Sequence, residues 1–140
     1  MSPEVQKKQL ELLKSRLKKA YSLPFEVQEK WKDEIEKLEQ KANILRTKLG
    51  ITFDEDKASE MLINTNKEII KLLKGNYDNG EFNKFLDNNK EAEKLWNETD
   101  EINVAFKLKD RDYFKECLKK YKENILKVDE MYATSRRDNQ

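Results

Sequence analysis

Residues 31–50, WKDEIEKLEQKANILRTKLG, decide the fold. Trp31, Ile35, Leu38, Ala42, Leu45 and Leu49 follow one another at intervals of 4, 3, 4, 3 and 4 residues. A half-buried strand would alternate every second residue, whereas this spacing is one face of a helix, a heptad seam of about 2.5 repeats. Gly50 stands where a left-handed residue closes a helix, and Ile51 where the accompanying apolar contact belongs. Traced back to Pro24, the stretch predicts one helix over 24–49, about 39 Å long.

The same logic extends in both directions. Ser2-Pro3-Glu4 opens a first helix with a capping side chain, a proline at the first helical position and an acid at the positive dipole end. Leu10, Leu13, Leu17 and Tyr21 line that helix, and Leu23-Pro24 ends it. After Gly50, Thr52-Phe53-Asp54-Glu55 reads as a capping box for a third helix, with Ala58, Leu62, Thr65, Ile69 and Leu72 on one face. Residues 75–80, GNYDNG, form a loop. A fourth segment runs from about Glu81 through Trp96 to Phe106, and Asp87-Asn88-Asn89 is either a polar patch in one helix or a break. Asp110 caps the last helix, whose Phe114, Leu118, Tyr121, Ile125, Val128 and Tyr132 repeat the intervals of residues 31–49.

These segments predict an all-α fold: an antiparallel helical bundle of four to five helices with a long coiled-coil-like hairpin. Residues 1–133 are expected to form a single bundle domain, and 134–140 a frayed tail without an apolar residue. The 140 residues are 36% hydrophobic and 41% charged, which suits long helices with narrow apolar stripes. Such stripes can be covered within one chain or by a second copy, so a homodimer is expected. No apolar run approaches the length of a membrane span, and because residues 1–20 contain no apolar h-region, no leader is expected. The expected location is the cytoplasm, or the host cytosol for a viral gene.

Composition also narrows the chemistry. The chain has no histidine, which removes Ser-His-Asp and Cys-His machinery and the histidine-based zinc and di-iron sites. Cys117, the one cysteine, sits beside the stripe of the last helix and reads as a small buried side chain. Asp78-Asn79-Gly80-Glu81 fails the calcium-loop spacing and reads as a turn. No glycine-rich phosphate loop is present. No residue is assigned to catalysis, to a cofactor or to a metal, and the chain is expected to be non-enzymatic.

Net charge is +1, but it is segregated. Residues 1–24 carry six basic and two acidic groups, residues 50–106 seven and thirteen, and residues 107–127 eight and four. The simpler reading is solvated faces laced with i,i+4 pairs such as Glu26–Lys30 and Glu116–Lys120. The functional reading is a partner-binding surface formed from Lys7, Lys14, Lys18, Lys119, Lys120, Arg136 and Arg137. Phe25, Phe53, Tyr77, Phe82, Phe106 and Phe114 all fall near helix ends, where they either close the bundle or present an aromatic anchor. Trp31 and Trp96 lie in register on their stripes and are expected in the core.

The expected function is therefore a protein–protein interaction module: an adaptor, an assembly factor or a small inhibitor or regulator, of the kind common in phages and mobile elements. The alternative is a DNA- or RNA-associated accessory protein using the basic first and last helices, whose binding would weaken steeply with salt.

Overall fold

The structure, a computed structural model, describes residues 2–75 and 77–138. Its helices are α1 (Pro3–Tyr21), α2 (Phe25–Lys30), α3 (Lys32–Leu49), α4 (Glu55–Leu72), α5 (Asn79–Asn88), α6 (Lys90–Glu98), α7 (Glu101–Leu108) and α8 (Arg111–Asp138). No strand occurs among the described residues, and the fold is all-α.

Among the described residues the five predicted segments become eight helices because two of them are interrupted, one of these twice, at identifiable residues. The helix expected over 24–49 divides at Trp31, whose φ of −106° and ψ of 17° leave the helical region. The ladder nearly bridges the break: the Trp31 N–H still donates to the Val27 and Gln28 carbonyls, and its own carbonyl accepts from Ile35 at 2.9 Å. The fourth segment does break at the polar patch. Asn89 turns extended (φ −133°, ψ 96°), and its side-chain oxygen accepts from the Ala92 N–H at 3.1 Å, capping α6. It is interrupted again at Thr99-Asp100, where i→i+3 bonds from Thr99 and Asp100 tighten the turn. Helix α4 starts at Glu55, later than a cap on Thr52 implies.

Two compact units result. The first comprises Met1–Asp54 with Lys107–Lys109. In it α3 packs on α1, with α2 against α3. Leu10 and Leu17 from α1 and Ile35, Ala42 and Leu45 from α3 are buried at the expected helical spacing. Gly50 closes α3 as expected: its φ is 67°, its N–H reaches the Thr47 carbonyl, and the Ile51 N–H reaches the Arg46 carbonyl at 2.9 Å. That pair of bonds is a Schellman closure. Arg46 is buried, with its guanidinium donating to the Leu108 carbonyl at 3.2 Å and to Asn43 Oδ1 at 2.6 Å.

The second unit comprises Glu55–Phe106 with Asp110–Gln140. Helix α8 is its spine, and α4, α5 and α6 pack on it. Phe114, Leu118, Val128 and Tyr132 are buried along α8, and Cys117 is buried beside them. Phe82, Leu86 and Ala92 from α5 and α6 meet Val128 and Tyr132 in one cluster, with Trp96 half-buried at its edge. Of the tail expected to fray over 134–140, residues 134–138 continue helix α8 and residues 139–140 lie outside the described residues; Arg136 lies over the Tyr132 ring at 5.7 Å. No helix among the described residues is long and apolar enough to cross a membrane.

Candidate functional site

The turn between α1 and α3 exposes the largest apolar side chains of the first unit. Ser22 closes α1, its hydroxyl donating to the Lys18 carbonyl at 2.8 Å. Pro24, at φ −55° and ψ 148°, then starts α2 without a side-chain cap. The Gln28 amide folds back to donate to the Leu23 carbonyl at 2.7 Å and the Tyr21 carbonyl at 3.2 Å. Two backbone carbonyls left at the end of α1 are thereby satisfied, and α2 is fixed against that end. Below it, the Tyr21 hydroxyl donates to Glu39 Oε1 at 2.7 Å, and Lys107 lies 5.4 Å over its ring. Burial, then the Glu39 carboxylate, pushes the Tyr21 hydroxyl well above its ordinary value, so it stays a donor.

On this fixed base Phe25 is 73% exposed and Trp31 is 54% exposed, with Leu23 beside them also open. Trp31, expected in the core from its register, is therefore a surface residue. It is the first member of the α3 stripe, and burial begins at the next member, Ile35. Phe25 likewise does not close the bundle end. The other aromatics near helix ends divide: Phe82 and Phe114 are buried, Phe53 and Phe106 half-buried, and Tyr77 is 39% exposed with its ring edge-on to Phe82 and Tyr132.

The seven predicted partner-binding cations are divided between the two units. Lys7, Lys14 and Lys18 belong to α1, and Lys119, Lys120, Arg136 and Arg137 to α8 in the other unit. Several are already engaged. Lys14 pairs with Glu11 at 2.8 Å, Lys120 with Glu98 and Glu101 at 3.5 Å each, and Arg136 with Glu81 at 3.7 Å. Partial burial works against the Lys120 charge, but Glu101 and Glu98 outweigh it and hold its ammonium above the ordinary value. Lys122 with Glu68 and Lys127 with Glu91 extend the series. The basic charge of α8 therefore faces the acidic charge of α4–α7 within one unit, which accounts for much of the segregation seen in the sequence. Lys7, Lys119 and Arg137 remain exposed, Arg137 donating to Thr134 at 3.3 Å.

The second unit also holds a deeply buried carboxylate that accepts from backbone and phenol donors. Asp129 is 2% exposed on α8 and accepts from the Lys74 and Gly75 N–H groups at 2.9 Å each, and from the Tyr77 hydroxyl. It pins the loop after α4. Burial and then the Asp129 carboxylate raise Tyr77 above its ordinary range. Helical periodicity reveals neither this role nor that of Arg46; the available signal is a charged residue directly beside an apolar stripe. An open groove of about 1060 Å³ runs between α5 and the end of α8, with Phe85 and Met131 along it and Lys84, Lys127, Glu81 and Arg136 at its sides. Of its ionic groups, Arg136 pairs with Glu81 and Lys127 with Glu91. Among the described residues no three of the metal-binding side-chain types come together.

No known protein family, curated protein or solved structure matches the chain.

Proposed function

We propose that this chain is a non-enzymatic protein-binding module in which a coiled-coil-like α1/α3 hairpin, part of an antiparallel bundle, presents Phe25, Trp31 and Leu23 to a partner protein as an adaptor, assembly factor or small inhibitor. The observation that carries the reading is the exposure of a Trp and a Phe on a turn fixed by Gln28. Hot-spot residues are enriched in Trp and Tyr, and a preformed turn loses little conformational freedom on binding. A catalytic role has far less behind it: the chain lacks histidine, and its buried ionisable groups serve as structural ties.

A second reading rests on the exposed cations of α1, namely Lys7, Lys8, Arg16 and Lys19, which suit phosphate contacts. Ionic strength separates the two. Binding through the aromatic turn holds as salt rises and survives nuclease, whereas binding through α1 to nucleic acid falls steeply with salt and disappears with nuclease. Capture from native extract at low and high salt, each with and without nuclease, reads both.

A further inference from the structure

Helix α1 has a second stripe opposite its buried one. Leu10 and Leu17 face the interior, whereas Val5, Lys8, Leu12, Arg16 and Lys19 follow one another at intervals of 3, 4, 4 and 3 and are all exposed. Helix α4 repeats the pattern in reverse. Its Ala58 and Ile69 are buried, while Asp56, Glu60, Ile63, Lys67 and Ile70, at intervals of 4, 3, 4 and 3, are exposed. The aliphatic members are open to an unusual degree for side chains of their size: Val5 43%, Leu12 56%, Ile63 54% and Ile70 68%. Each pair is separated by seven residues, two helical turns.

Laid antiparallel, the two stripes match position by position. Val5 falls opposite Ile70, Leu12 opposite Ile63, Arg16 opposite Glu60 and Lys19 opposite Asp56. Among the described residues none of Arg16, Lys19, Asp56 and Glu60 is held by an ion pair, so their charges are available. One position opposes like charges, Lys8 against Lys67.

We propose that the chain forms a dimer in which α1 of one copy lies antiparallel on α4 of the other, in the register Val5–Ile70, Leu12–Ile63, Arg16–Glu60 and Lys19–Asp56. Each such contact buries four aliphatic side chains, two from each helix. The charged positions set direction and register, since a parallel pairing brings Arg16 against Lys67, Lys19 against Ile70 and Val5 against Asp56, leaving Lys8–Glu60 as its one attractive pair. The Lys8–Lys67 opposition keeps the dimer weak. Phe25 and Trp31 take no part, so this proposal stands or falls separately from the aromatic turn.

The test is sedimentation of the full chain over a concentration series, with far-UV circular dichroism to establish that each variant is folded. The wild type is expected to move from one chain mass towards two. Arg16→Glu with Lys19→Glu is expected to abolish the shift, as is Asp56→Lys with Glu60→Lys. Mixing these two variants, or combining all four substitutions, is expected to restore it. Lys67→Glu replaces the repulsion with attraction and is expected to tighten the dimer by about tenfold. A wild type that stays monomeric to its solubility limit overturns the proposal. So does a dimer indifferent to the charge reversals, a failure of the combined variant to recover, or a Lys67→Glu variant no tighter than wild type. A monomer that binds nucleic acid through the same α1 cations also overturns it.

Discussion

Asp129 ties the loop after α4 to α8. Its two oxygens satisfy two backbone N–H groups and a phenol, none of which has another partner of that strength nearby. Asp129→Ala strands those donors and is expected to destabilise the fold by about 2 kcal/mol in chemical denaturation. Tyr77→Phe removes one of the three bonds and is expected to lose about 1 kcal/mol. Gly75→Ala places its Cβ 3.0 Å from the Asp129 Oδ1 and is expected to loosen the same contact. Tyr132 makes the opposite case. Its hydroxyl is buried with no hydrogen-bond partner among the described residues, although its ring stacks on Phe82 at 5.3 Å. Tyr132→Phe keeps the stack and removes an unsatisfied group, so it is expected to leave denaturation midpoints unchanged or raise them. These polar ties were not readable in advance, because a charged residue next to an apolar stripe has the same sequence signature whether it faces solvent or an incoming loop. The stripes themselves were readable: the members of residues 35–45 and 114–132 that carry the core do so at the spacing their positions dictate.

At the level of elements, helices that end on glycine or begin on a capping side chain follow local chemistry, while the helix breaks inside apolar patterns do not. Gly50 adopts the left-handed closure its position requires, and Gly50→Ala is expected to lose about 1 kcal/mol through that backbone conformation alone, since open space surrounds its Cα. The α5–α6 break was open to either reading because Asp87-Asn88-Asn89 tolerates both; Asn89 decides it by turning extended and capping α6. Asn89→Ala is expected to weaken α6 by about 1 kcal/mol, seen as lower thermal stability with little change in helical signal. The break at Trp31 has no such marker. Its heptad register continues unbroken into α3, and what separates it is the Gln28 amide holding α2 to the end of α1, a contact between residues that no periodicity connects. That is why the candidate binding turn was hidden: the pattern that located the helix also assigned Trp31 to its core. Among the cations named from sequence, charge density was visible, but the carboxylates of α5–α7 that pair with Lys120 and Arg136 become visible only when the helices pack.

Across the whole molecule, tyrosine ionisation predicts an alkaline limit. Burial leads the causes that raise Tyr21, Tyr77 and Tyr113 above their ordinary value, joined by Glu39, Asp129 and Cys117 respectively. Because the folded values lie above the unfolded value of about 10, the stabilisation is complete below that pH and is lost as pH rises through the folded values. Thermal midpoints are expected to hold flat from neutral pH to about 9 and then fall, and Tyr77→Phe is expected to soften that fall. A midpoint insensitive to alkaline pH would contradict the buried-phenol assignment. The fold class was legible because helical spacing, caps and closing glycines agree along most of the chain; the proposed function was not, because the proposal rests on which apolar residues the finished fold leaves uncovered. The most direct test of that function compares three forms of the tagged chain in nuclease-treated native extract at high salt: wild type, Phe25→Ser with Trp31→Ser, and Arg16→Glu with Lys19→Glu. The account predicts one protein captured by wild type and by the charge variant, and lost from the aromatic variant while its thermal midpoint stays unchanged. Equal capture by the aromatic variant, or capture lost only with the charge variant, would contradict it.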